Sequence, residues 1–354
     1  MGTHLPARGA KSKAVYKLRL CGNKLDLRYI LLLAAAVILA VSIFRLPGRP
    51  GPKAGESLAY GLIQQFKTTK GSTDAQNASI RLKIIKKIIH ASGESALFMD
   101  VKNVSLEIRL QNVAQKSNDA LFILSGEGKS LVALYVDSGK DYRYYGKVDT
   151  FMHLKDVQIM PLPAERKGIV AVRERISSTD GSFEEGVFIR AYIWQDNEFH
   201  PVLNIMENFR SYYNQLWDTK IKPEESHWIL IRQKAIAKWS SAPSPVLQMA
   251  EQQTLAVSEK TQQVDLPPND AFDVLQTRNI SNTYYWSDKW KHFIMGEGKD
   301  ANGQAIAILE DITLSPYALQ PRYLEANNHY RVKYEDGSIR NVAKGSIEVV
   351  APAP

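Results

Sequence analysis

The chain has 354 residues with 45 Lys and Arg against 37 Asp and Glu, a net charge of +8 and one cysteine. Ten of the bases and a single acid, Asp26, lie in residues 1–53, so residues 54–354 carry 35 bases and 36 acids and are near neutral. A nucleic-acid binder would hold its basic surface on the folded domain, so this distribution argues against nucleic acid as a partner. With Cys21 as the only cysteine, the rest of the chain has no disulfide and depends on its core.

In chain order, a basic segment (1–28) leads into sixteen apolar or small residues, Tyr29 to Phe44, flanked by Arg28 and Arg45. At 1.5 Å per residue such a helix spans roughly 24 Å. Leu46 and the snorkelling of both arginines bring it toward the ~30 Å hydrocarbon core. The run predicts a single transmembrane signal-anchor helix over 29–46, with the lipid bilayer as partner. Seven bases precede it and three follow closely. By the positive-inside rule the N-terminus is then cytoplasmic and the C-terminal domain extracytoplasmic, a single-pass protein of the cell membrane. The competing reading is a cleaved signal peptide cut after Ser42, at Ala40-Val41-Ser42. The long leader and the unbroken continuation into Ile43 and Phe44 favour the anchor.

Pro47-Gly48-Arg49-Pro50-Gly51-Pro52 opens a linker region over 47–78, with a short helix expected at 57–66 and polar loop over 67–78. The extracytoplasmic domain is expected over 79–354. At its start, Ile80, Ile84, Ile85, Ile88 and Ile89 share one helical face and Lys83, Lys86, Lys87 and His90 the other. Two readings are open: a basic amphipathic helix lying on an anionic membrane, or a core element whose lysines are merely solvated.

From about residue 97 the pattern is mostly period two. Turn signals at 125–128, 137–140, 179–182, 195–198, 300–303 and 335–338 separate aromatic and β-branched runs and read as hairpins. Strands are expected at 130–136, 142–147, 169–176, 183–194, 199–203, 305–309, 330–334 and 347–350. Ile205, Phe209, Tyr212, Tyr213, Leu216 and Trp217 recur at helical spacing and predict a helix over 204–218. Residues 241–268 fit either an exposed helix or loose strands.

The hairpins repeat. Tyr135 and Tyr142 lie seven residues apart across one turn, as do Tyr192 and Phe199 across a similar one, and Tyr284-Tyr285-Trp286 with Trp290 forms a looser copy. Within this pattern, Val157-Gln158-Ile159, Gly168 to Val172, Ile189 to Trp194 and Glu198-Phe199 resemble the FG-GAP or VCBS type of repeat of extracellular β-propellers, over about fifty residues (154–203). The resemblance implies a β-rich envelope domain used for contacts. The family's Asp-rich calcium loop is replaced here by Leu162-Pro163-Ala164-Glu165-Arg166-Lys167-Gly168, so no calcium site is implied.

Motifs for chemistry are sparse. The seven histidines are scattered, Asp137/Asp141 and Asp300/Asn302 fit hairpin turns, and no strained serine elbow, phosphate loop or external cysteine is present. No catalytic residue, cofactor site or metal site is assigned. Glu224-Glu225-Ser226-His227 is the densest polar cluster and reads as a turn entering a strand. Tyr284, Tyr285, Trp286 and Trp290 form a candidate ligand surface, sugar-stacking if exposed and core-packing if not. The expectation is therefore a mainly β protein: a transmembrane anchor, then a β-meander or propeller-like extracytoplasmic domain with one or two short helices. It would serve as a binding or scaffolding module of the cell envelope, contacting other envelope proteins or cell-wall polymer. The alternative is an envelope hydrolase whose carboxylates meet only in three dimensions.

Overall fold

The computed structural model describes residues 57–350, apart from the short segments 69–74, 96–99, 115–118, 163–164, 166, 179–182, 218–221, 223–224, 242, 260–264 and 321–327. The apolar run, Arg28, Arg45 and the proline-rich linker lie outside the described residues. Among those described, no helix is long and apolar enough to cross a membrane.

The first layer is helical. Helix α1 (Tyr60–Thr68) and helix α2 (Ala75–Ser92) bury Ile63, Phe66, Ile80, Ile84, Ile85, Ile88 and Ile89. Isoleucines three and four apart fall on one face of a helix, which is why α2 forms and docks. It ends at Gly93, whose φ of 72° takes the left-handed turn. The Gly93 and Glu94 amides then donate to the His90 and Ile89 carbonyls, both at 3.1 Å, closing a Schellman cap. The isoleucines of 80–90 thus enter the core, and Lys83, Lys86, Lys87 and His90 face outward.

Beneath the helices lies a five-stranded antiparallel sheet of β1 (Ser57–Ala59), β2 (Ser105–Leu110), β3 (Ala120–Ser125), β4 (Ser130–Asp137) and β5 (Asp141–Phe151), ordered β1-β5-β4-β3-β2. Phe122, Leu124, Leu131, Ala133, Tyr135 and Tyr144 meet the isoleucines. Leu121, Ile123, Val132, Leu134 and Val148 point the other way, against Val157, Val170, Val172, Tyr192 and Trp194 of the next sheet. Burial on both faces explains why β3 and β4 read as nearly unbroken apolar runs. Strand β1 pairs with β5 and α1 fills this core, so residues 57–68 pack with the sheet, ahead of the boundary expected near Ser79.

The second sheet is an antiparallel meander of β6 (His153–Leu162), β7 (Lys167–Ser178), β8 (Phe183–Gln195), β9 (Glu198–Asn214), β10 (Trp228–Ser240), β11 (Val246–Ser258), β12 (Phe272–Ser287) and β13 (His292–Ile294), each paired with the next. It curls. Strands β9 and β10 pair only through 209–214 and 228–233. Beyond that point the ladder parts, and side chains bridge the gap: Asn208 Oδ1 accepts from the Ala235 amide at 3.3 Å, and Gln233 Nε2 donates to the Met206 carbonyl at 2.7 Å. The inner faces of the two halves then meet, packing Met160, Ile169, Ile189, Ile193 and Leu203 with Leu247, Met249, Tyr284, Trp286 and Phe293.

A third sheet closes the chain, with β14 (Gly296–Lys299), β15 (Ala305–Asp311), β16 (His329–Tyr334), β17 (Ile339–Ala343) and β18 (Glu348–Val350) ordered β17-β16-β15-β14-β18. Its last strand returns to its first. Gly298 permits this, since a Cβ there would stand 2.7 Å from the Glu348 carbonyl oxygen.

The protein is mainly β, as expected, and the hairpin turns join consecutive antiparallel strands. They assemble into continuous sheets of five, eight and five strands rather than repeated blades. One further expectation is corrected: the stretch expected as a helix over 204–218 forms most of β9 and a one-turn helix at Gln215–Trp217, with 218 outside the described residues. Of the two readings open for 241–268, the strand one matches β11.

Candidate functional site

The four aromatics singled out as a ligand surface do not form an exposed platform. Tyr284 and Trp286 lie inside the curl, at 5% and 6% exposure, and Trp290 is buried against Ile294, Ala307 and Leu309. Half-buried Tyr285 donates its hydroxyl to the Met295 carbonyl at 2.8 Å, and the Trp286 indole N–H is held by Asp288 at 2.8 Å. Alternation along β12 turns Tyr284 and Trp286 into the core and Tyr285 to the other face, where the loop to β13 brings Trp290 down beside it.

Two groups of ionisable side chains come together in the interior. Between the first two sheets, Arg190 contacts Glu174 at 2.8 Å, Glu174 also accepts the Met152 amide at 2.6 Å, and Tyr192 donates to Asp149 at 3.0 Å. Burial raises the Glu174 carboxyl above its usual range, partly opposed by Arg190. Glu174 on β7 and Arg190 on β8 belong to the same sheet, and it is the Tyr192–Asp149 and Met152–Glu174 hydrogen bonds that tie this sheet to the end of β5.

The second group runs along the inner face of the curl. Arg278 on β12 donates to Gln253 Oε1 at 2.6 Å and to the Thr313 and Ser315 carbonyls at 3.0 and 2.7 Å. Gln253 donates to Gln233 at 2.6 Å and to the Leu314 carbonyl at 2.8 Å. Burial raises the pKa of Glu251, while hydrogen bonds from Asn282 and Gln253 and the charge of Arg278 pull it down. On the facing segment Lys344 holds Asp311 at 2.6 Å and Thr313 at 2.7 Å. These contacts pin one-turn helices Ile312–Leu314 and Pro316–Leu319 across the sheet, where Leu319 packs on Phe209 and Ile231. Here Glu251 lies within electrostatic reach of Glu310. Its hydrogen bonds to Asn282 and Gln253 mark it as part of this clamp.

Of the polar cluster 224–227, Glu224 lies outside the described residues and the rest behaves as a strand entrance: the Nδ1 of His227 lies 2.7 Å from the Ser258 carbonyl and its amide donates to Gln215. The turn carboxylates do turn work. Asp300 Oδ1 accepts the Asn302 and Gln304 amides, both at 2.9 Å, and Asp137 accepts the Gly139 amide at 2.7 Å. Among the described residues, no group of three or more His, Cys, Asp or Glu is placed to hold a metal.

The surface offers a different kind of site, which sequence reasoning missed. Across the outer face of β10, β11 and β12 run three exposed rows: Lys234, Gln252 and Asn279, then Ile236, Ala250 and Ser281, then Lys238, Gln248 and Thr283. At the margin of this face β12 is sixteen residues long, yet β13 covers only Tyr285 to Ser287. From Phe272 to Tyr284 its outer edge pairs with no strand among the described residues. A bulge opposite Leu255 and Ala256 leaves Val274 and Leu275 at 62% and 65% exposure.

Sheet edges are normally guarded by charge, proline or brevity. The opposite edge, β6, carries Lys155, Asp156, a bulge and Pro161. Strand β12 has no proline, and its one charge beyond Asp273, Arg278, is turned into the inner clamp.

No protein-family model, no curated protein sequence and no solved structure matches the chain. The likeness of 154–203 to an FG-GAP repeat rests on those residues alone.

Proposed function

We propose that the protein is a membrane-anchored, extracytoplasmic binding or scaffolding module of the cell envelope that takes up an extended segment of a partner protein along the free edge of β12. The observation that carries this reading is the unguarded Phe272–Tyr284 edge with Val274 and Leu275 exposed beside it. An incoming strand would satisfy the open backbone N–H and C=O groups, and side chains at alternate positions would select it by resting on Val274, Leu275 and the polar rows behind them. The near-neutral composition of residues 54–354 suits recognition through backbone hydrogen bonds and apolar contact rather than through charge. The apolar run supplies the anchor.

The test is site-specific photocrosslinking in intact cells, with the crosslinker at Gln276 on the open edge and, as control, at Lys155 on the guarded edge. A defined heterologous adduct is expected at 276 and not at 155. It should be lost in Val274→Lys/Leu275→Lys, whose exposed side chains leave the fold intact. Adducts of equal yield at both edges, or one at 276 that consists of a second copy of the chain, would overturn the reading.

A further inference from the structure

We infer that the outward face of α2 is seated on anionic phospholipid, so that the helical layer is the membrane-facing side of the domain. The inference rests on the anchored reading above and deepens it.

Helix α2 contains no acidic residue, and its exposed face carries Lys83, Lys86, Lys87 and His90 at the i, i+3, i+4 and i+7 positions of a single stripe. Seven residues of rise make that stripe about 10 Å long. Lys83 and Lys86 make no ion pair among the described residues, whereas Lys87 is steadied by the Ser57 carbonyl at 3.3 Å. Arg81, beside the stripe, donates to the Lys102 carbonyl at 3.3 Å. Helix α1 is also free of acids and carries Lys67 in its last turn. Of the acids that border this layer, Glu94 is buried and paired with Lys147, Asp137 takes the Tyr60 hydroxyl, Asp141 is bound to Ser57 and Ser138, and Asp100 caps the one-turn helix Val101–Asn103, so none lies on the stripe.

Two further facts choose the occupant. The isoleucines of α2 are spent in the core, so the helix has no apolar face left to insert and any membrane contact must be electrostatic. The chain between Phe44 and Ser57 is only twelve residues long. Fully extended, it reaches at most about 43 Å. An anchor on so short a tether bounds the distance of Ser57 from the bilayer, which leaves the lysine stripe of α2 within reach of lipid phosphates.

The experiment reconstitutes the full chain into nanodiscs of phosphatidylcholine, with or without about 30 mol % phosphatidylglycerol. An amine-acylating reagent is then applied and each lysine read by mass spectrometry. Labelling of Lys83 and Lys86 is expected to be about threefold lower in the anionic discs and to recover near 1 M salt, where the screening length is ~3 Å. Exposed Lys234 and Lys238 on β10 should label equally in both. A second readout places one thiol in the layer, as Cys21→Ser/Ser79→Cys, and follows its reaction with an impermeant maleimide. Anionic lipid should slow that reaction, and adding Lys83→Glu/Lys86→Glu/Lys87→Glu should remove the slowing. Equal lysine labelling in the two lipids, with the chain incorporated, would overturn the inference. Failure of the chain to enter the discs at all would instead sink the anchored reading beneath it.

Discussion

At the scale of single residues, the interior holds groups whose protonation pulls against one another. His292 opens β13 with Nδ1 2.9 Å from the Phe293 carbonyl. Packing around the ring, with Lys333 and Arg331 nearby, lowers its pKa from 6.5 to about 4. The folded protein therefore keeps this ring neutral while the unfolded chain takes up a proton below 6.5. The stability it contributes is present above 6.5 and lost as pH falls through about 4. Glu174 has the opposite sign: raised by burial, it favours the fold below the ordinary value of 4.5, and that contribution is lost as pH rises through its elevated value. Comparing variants separates the two. In urea unfolding across pH 6.5 to 4, His292→Gln is expected to lose less stability than the parent protein. Equal slopes for the two proteins would show that His292 does not titrate in this window.

At the scale of elements, the clamp around Arg278 decides whether the third sheet stays docked in the curl. Arg278→Met leaves Gln253 and two backbone carbonyls short of a donor, and a loss of about 2 kcal/mol or more is expected. Hydrogen exchange should accelerate at the Ala318 and Gln320 amides, which close the one-turn helix beside it. Unchanged exchange there would show that Leu319 and Tyr317 hold the segment alone. The same residues explain what could be read in the sequence. Turns were legible because their chemistry is local: Asp196 and Asn197, with φ of 50° and 65°, announce the β8–β9 hairpin. Strands β10 to β12 were harder, because Gln233, Glu251, Gln253 and Arg278 point inward and blur the alternation that marks a strand. Strand β9 was misread for a related reason. Phe209 and Tyr212 face opposite sides and both are buried, so its far end shows two apolar faces and imitates helical spacing. The open edge of β12 leaves no mark in composition, since an edge is defined by the neighbour that stops short.

At the scale of the molecule, residues 54–354, which include the helical layer and the three sheets, carry 35 bases and 36 acids and so no net positive charge. The excess of positive charge belongs to 1–53, where ten bases bracket Tyr29 to Phe44. Such an arrangement makes orientation a question of energetics: bases beside a spanning helix stay on the cytoplasmic side, and the side holding seven outweighs the side holding three. A phosphatase reporter that folds only outside the cytoplasm, fused after Pro354, is therefore expected to be active. It should fall silent when 29–44 are deleted. Moving the imbalance is the sharper test, because replacing Arg8, Lys11, Lys13, Lys17 and Arg19 with Gln leaves two bases before the run and three after it, and should cut reporter activity severalfold without touching the folded domain. The mass of the recovered chain distinguishes an intact anchor from cleavage after Ser42, which would shorten it by 42 residues. An inactive reporter on the full-length chain would place β12 on the cytoplasmic side, and with it the partner proposed for its open edge.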